Sequence, residues 1–229
     1  MKQIKSTPHF WPFDGDLNTR NTALIVIDMQ IDFCGDGGYI DLMGFDTSLT
    51  KGAIAPIKNI LEVMRNLGFL IIHTREGHRP DLSDLPANKK WRSEQNGAGI
   101  GSQGPCGRIL TREEKGWDII PELYPLPEET IIDKPGKGAF YATDLDMVLR
   151  LNGIKNLVIT GITTDVCVST TLREANDRGF ECLLLEDCCG ATELKNHIAA
   201  IENIKLQNGI FGNVYNSTAF LSELKQFFK

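Results

Sequence analysis

The chain has 229 residues, 41% of them hydrophobic, which suffices for one substantial core, and a single domain over residues 1–229 is expected. Thirty acidic against 24 basic residues leave a net charge of −6, so there is no global positive field to hold a phosphate backbone or an anionic lipid surface. Nucleic acid and membrane are thereby excluded as expected partners, and no run approaches the ~20 apolar residues that a membrane span requires.

The first 20 residues read as a polar N-terminal extension carrying Pro8 and Pro12, without the apolar stretch of a secretory signal, so a cytoplasmic location is expected. Ala23–Ile27 is then a fully buried strand ending at Asp28. Ile54, Ile57, Ile60, Leu61, Met64 and Leu67 recur at helical spacing and Gly68 closes that helix, after which Phe69–Ile72 forms a second strand. From Arg75 to Glu128 apolar residues are few, and a segment that long without obvious elements predicts a lid over a pocket, with Arg75, Trp91 or neighbours from another subunit as candidates to touch a ligand. Its Gly99-Ile-Gly101-Ser-Gln-Gly104 matches the dinucleotide fingerprint in form only, since no buried strand precedes it and Pro105 follows where a helix should open.

Thr130–Ile132 is the third strand, followed by Asp133 and Lys134, and Thr143 opens a short helix stopped by Gly153. Leu157–Thr160 is the fourth strand, and Gly161 turns the chain into the helix that ends at Gly179. Leu183–Leu185, a helix over Glu193–Gln207, a strand over Ile210–Val214 and a helix over Thr218–Phe228 complete the chain. Buried strands alternating with amphipathic helices predict an α/β fold, a Rossmann-like, doubly wound and mainly parallel sheet with helices on both faces.

In such a sheet the ligand crevice lies beyond the carboxyl ends of the strands. Asp28, Lys134 and Cys167 each follow a strand and so share one rim. Taken locally, Cys167 reads equally as a nucleophile near a helix N-terminus or as one more buried small residue. Asp28 could cap a turn, and Lys134 could be solvated. Together the three are chemically complementary: a thiolate for a carbonyl carbon, a carboxylate for proton transfer and a cation that lowers the thiol's pKa, with backbone N–H groups at Thr163 and Cys167 for an oxyanion. The six cysteines, Cys34, Cys106, Cys167, Cys182, Cys188 and Cys189, show no disulfide framework and are expected reduced. The adjacent pair Cys188 and Cys189 makes no Cys-x-x-Cys site and has no role read from sequence.

At Asp28-Met-Gln-Ile-Asp-Phe33, Asp133-Lys134-Pro-Gly-Lys-Gly-Ala-Phe140 and Gly161-Ile-Thr-Thr-Asp-Val-Cys167, the sequence resembles the isochorismatase-like cysteine hydrolases over roughly Thr22–Phe220. The resemblance implies a catalytic triad of Asp28, Lys134 and Cys167, a cis peptide between Ile162 and Thr163 beside the oxyanion donors, and a homotetramer. The cysteine separates the chain from true isochorismatases and implies an amidohydrolase. The nicotinamidase branch has an aspartate and histidine metal site after the second strand; here His73 and His78 are five apart and lack its Asp-x-His order, so no metal and no other cofactor is expected.

The branch most resembled hydrolyses small ureido amides. Phe33 falls where biuret hydrolases place a pocket aromatic, and Gln207 where they place an amide that both donates to and accepts from a ureido group. The expected reaction is therefore biuret to allophanate and ammonia. Triuret, ureidoacrylate or N-carbamoylsarcosine are alternative substrates, and a non-catalytic binding protein on the same fold is the alternative of another class.

Overall fold

A computed structural model describes residues 1–228. β1 (Thr22–Ile27) is buried at every position because it lies inside a sheet covered on both faces. Its side chains alternate between two cores: Leu24 and Val26 enter one, and Ala23, Ile25 and Ile27 the other. Three single-turn helices, α1 (Ile31–Cys34), α2 (Tyr39–Leu42) and α3 (Ser48–Lys51), lead to α4 (Ile54–Asn66), which buries Ile57, Ile60, Leu61 and Met64.

β2 (Leu70–Glu76), α5 (Ala87–Gln95), the two-residue strands β3 (Gln103–Gly104) and β4 (Gly107–Arg108), and β5 (Thr130–Lys134) follow. Then come α6 (Leu145–Leu151), β6 (Asn156–Ile162), a π-helical turn over Thr164–Val168, α7 (Ser169–Asp177) and β7 (Glu181–Gly190). α8 (Leu194–Gly209), β8 (Asn213–Tyr215) and α9 (Ser217–Phe227) end the described chain.

The main sheet runs β5-β2-β1-β6-β7-β8, with every pair parallel. The chain winds one way from β1 to β5, then returns to β6 and winds the other way, so the topological switch point lies between β1 and β6. α4 and α9 cover one face through Ile57, Met64, Phe220 and Leu224; α6, α7 and α8 cover the other through Leu149, Leu172 and Ile201. The expected doubly wound α/β architecture is therefore present. Among the described residues no helix is long and apolar enough to cross a membrane.

Two stretches depart from the sequence expectation. Residues 1–20 do not stand apart as an extension: Ile4, Trp11 and Leu17 are buried, and Thr7 exchanges backbone hydrogen bonds with Val214 of β8 at 3.0 and 2.7 Å. Their apolar positions lack helix or strand periodicity, which hid them. The 75–128 segment begins inside β2 and is ordered against the core through Ile100, Ile109, Leu110, Ile119, Ile120 and Leu123. Arg75 grips Asp133 at 2.7 and 3.1 Å and lies 3.7 Å over the Trp117 ring, while Trp91 is exposed, so neither faces a cavity.

Candidate active site

β1 and β6 flank the switch point, and the chain leaves both ends sharply. Asp28 adopts φ 51°, in the left-handed region. Gly161, at φ 112°, brings β6 so close to β1 that a Cβ there would collide with the Ile27 carbonyl oxygen. Any side chain would push the two strands apart at the site. The Ile162–Thr163 peptide is cis, and Cys167 follows in the π-helical turn. Lys134 closes β5 on the same rim.

These placements bring Asp28, Lys134 and Cys167 together in a dry cluster: Asp28 and Lys134 are fully buried and Cys167 is buried. The Lys134 ammonium lies 2.8 Å from Asp28 Oδ2 and donates to the carbonyls of Gly136 and Lys137 at 3.0 and 2.9 Å. Thr74 donates to the other Asp28 oxygen at 2.6 Å.

The fourth member is Glu76, at the end of β2, which the sequence reading did not single out. Its Oε2 accepts from the Cys167 thiol at 3.2 Å and lies 3.4 Å from Lys134 Nζ, and its Oε1 accepts from Lys89 Nζ of α5 at 2.5 Å. Gln30 fixes the backbone beneath it, accepting from the Glu76 N–H at 2.7 Å and donating to its carbonyl at 3.0 Å. β2 was expected to stop at Ile72 because His73-Thr-Arg-Glu76 is polar. Extending the strand to its true end puts Glu76 on the rim by the same rule that found Lys134.

The electrostatics divide the two carboxyls. Burial pushes Asp28 up, further than Lys134 pulls it back, and Glu76 adds to the rise. Burial would raise Glu76 too, but Lys134 and Lys89 override it and hold that carboxyl at about 2. Burial favours a neutral Lys134, yet Asp28, Cys167 and Glu76 keep it an ammonium. Cys167 departs from expectation: burial raises the thiol further than Lys134 lowers it, and Glu76 and Asp28 add to the rise. The resting group is a thiol, and its hydrogen bond goes to Glu76 rather than Asp28.

Asp28, Glu76 and Cys167 offer ligand atoms within 4.8 Å of one another, the one such cluster among the described residues, and Lys134 supplies the positive charge between them. His73 and His78 are buried apart from it, His73 on Glu129 at 3.0 Å and His78 on Asp84 at 3.2 Å.

Above the cluster opens a cavity of about 300 Å³, the small end of ligand sites. Thr163, Cys167 and Glu76 form its floor, Phe33, Tyr39 and Ile40 an apolar wall, and Lys89, Arg92 and Ser93 of α5 with Asn96 and Lys137 a polar one. Phe33 thus lines the cavity, as does the α5 face bearing Lys89 and Arg92, whereas Trp91 does not.

Gln207 does not reach the cavity. α8 runs back from the carboxyl rim to the amino ends of the strands, where the chain turns through Gln207 and Asn208 at φ 50° and 64° before β8 begins. Gln207 is exposed there, and His9 of the N-terminal segment lies 3.0 Å from the next carbonyl. The start of a parallel strand is the far end of the sheet from its ligand crevice.

Comparison with known proteins agrees with this geometry. The isochorismatase domain model matches residues 22–217. The chain belongs to the isochorismatase family. It is 36% identical over 175 residues to the ureidoacrylate amidohydrolase of Agrobacterium fabrum, covering 75% of this chain and 76% of that protein. A cysteine hydrolase from Pseudomonas syringae pv. phaseolicola superposes with a TM-score of 0.77 at 24% identity, covering 92% of this chain and 95% of that one. The N-carbamoylsarcosine amidase of Thermoplasma acidophilum does so with a TM-score of 0.66 at 25% identity, over 86% and 96% of the two chains. The protein is an amidohydrolase of this family, acting on an amide C–N bond. Its relatives' names point to ureidoacrylate and not specifically to biuret.

Proposed function

We propose that this isochorismatase-family amidohydrolase cleaves a carbamoyl C–N bond in a ureido carboxylate, with ureidoacrylate as the preferred member of that class, and that Cys167 is its nucleophile. The observation that carries the reading is the pair of cations Arg92 and Lys137, which line the cavity while no carboxylate among the described residues lies within ion-pair distance of either, Glu76 feeling Lys137 only from further off. Cations left open on a pocket wall match a ligand that brings its own anion. Ureidoacrylate and N-carbamoylsarcosine, named for two similar proteins, both carry a carboxylate. Biuret and triuret carry none, and the glutamine offered for biuret lies at the other end of the sheet.

In this reading the substrate carboxylate rests on Arg92 and Lys137 and its carbamoyl carbon lies over Cys167. Asp28, whose raised pKa makes it the better base of the two carboxyls, takes the thiol proton. The thiolate adds to the carbamoyl carbon, and the N–H groups of Thr163 and Cys167 receive the oxyanion. Asp28 then gives its proton to the departing nitrogen, and water, deprotonated by the same carboxylate, hydrolyses the carbamoyl thioester. Lys134 stays charged and balances each state.

Arg92→Gln and Lys137→Gln are each expected to raise KM for ureidoacrylate about tenfold while changing biuret turnover less than about twofold, as followed by ammonia release. Equal effects on both substrates, or none on ureidoacrylate, would overturn the carboxylate assignment.

A further inference from the structure

Glu76 is a buried carboxylate that faces the cavity beside the nucleophile, yet as a weak base it has no part in the proton transfers above. We infer that Glu76 is a specificity-determining residue: its carboxylate accepts the two parallel N–H groups of a ureido unit, one from each nitrogen, and thereby selects ureido substrates over plain carboxamides. The inference rests on the ureido-carboxylate reading and deepens it.

The inventory of acceptor sites makes the case. An ionised carboxylate offers about four lone-pair directions. On Oε1, Lys89 takes one at 2.5 Å and leaves one; on Oε2, Lys134 approaches to 3.4 Å and the thiol proton occupies another at 3.2 Å. When Cys167 gives up its proton, that second direction opens too. Each oxygen then has one free acceptor position, spaced as the two N–H groups on the side of urea away from its carbonyl require. A carbonyl carbon held by those bonds presents its oxygen away from Glu76.

Lys89 and Lys134 keep the group ionised, so it accepts on both oxygens and never donates. A carboxamide that has CH2 in place of the inner NH fills one of the two positions and leaves the other buried and unpaired. Sites built to hydrogen-bond a group discriminate strongly against analogues that lack it. Gln30 and Lys89 hold the Glu76 backbone and side chain, so the acceptor pair is fixed before a ligand arrives.

The test uses the Cys167→Ala protein, which has no nucleophile and no donor at position 167 to occupy Glu76 Oε2, and calorimetric titration with 3-ureidopropionate and with glutaramate, the same carboxylate with CH2 replacing the inner NH. A preference of at least about tenfold for the ureido ligand is expected in Cys167→Ala, falling below about threefold when Glu76→Gln is added, with glutaramate affinity little changed. Equal affinity for the two ligands in Cys167→Ala alone would overturn the role of Glu76, whatever the fate of the second variant. A preference that survives Glu76→Gln, or a parallel loss of both ligands, would do the same. Failure of both ligands to bind Cys167→Ala would instead overturn the ureido-carboxylate reading beneath it.

Discussion

Cys167→Ser is expected to lower ammonia release from ureidoacrylate by on the order of 10³-fold or more while the fold stays intact. Serine keeps nearly the volume of cysteine in a site that is 4% exposed, and its hydroxyl can still donate to Glu76 Oε2, which now lies 3.2 Å from the sulfur. What is lost is acidity and nucleophilicity. A hydroxyl is far harder to deprotonate than a thiol, and Asp28 is a carboxylate rather than the imidazole that serine hydrolases use. Thermal unfolding within a few degrees of the parent would show that structure is kept. Turnover near the parent's would remove Cys167 from the mechanism.

The second large effect concerns the buried cation. Lys134→Met removes the one positive charge inside the cluster and leaves Asp28, with Thr74 as its remaining side-chain donor, buried beside Glu76. Breaking a buried pair by deleting one partner costs about 3 to 5 kcal/mol, because the other charge is left uncompensated. A urea midpoint lowered by that free energy divided by the slope is expected, with the slope unchanged, together with loss of activity. Adding Asp28→Asn should return part of the stability, since it removes the charge that Lys134 had balanced. A Lys134→Met protein within 1 kcal/mol of the parent would mean that the carboxyls are neutral in the folded state.

The sheet and three of the four clustered residues could be read from the sequence because both signals are local. Leu24 to Ile27 and Leu157 to Ile159 announce strands covered on both faces, and the rule that ligands meet strand ends then gathers Asp28, Lys134 and Cys167. Glu76 escaped because the last turns of β2 are polar: His73, Thr74 and Arg75 find partners in Glu129, Asp28 and Asp133, contacts that no periodicity encodes.

Gln207 failed for a topological reason. It was placed by the family resemblance alone, but it precedes β8, and a strand's first residues lie a sheet's length away from the rim. The thiol's state was also misread. A neighbouring lysine lowers a thiol's pKa, yet the burial and the two carboxylates that outweigh it appear only when the cluster is assembled. Likewise Ile100, Ile109 and Ile119 lie too far apart to form a pattern, and only the folded chain shows that the 75–128 segment packs against the core.

The most direct test of thiol chemistry on a ureido carboxylate is alkylation by iodoacetamide, with each cysteine followed by peptide mass analysis and activity followed in parallel. Loss of activity should track modification of Cys167 alone, since none of Cys34, Cys106, Cys182, Cys188 and Cys189 lines the cavity. Both rates should still be rising at about pH 8.5, where an ordinary thiol is half ionised, because a raised pKa keeps the proton on sulfur until higher pH. Saturating 3-ureidopropionate should slow both rates about tenfold or more, and biuret should protect less. Activity that survives complete alkylation of Cys167, or a loss that follows another cysteine and ignores 3-ureidopropionate, would contradict the assignment.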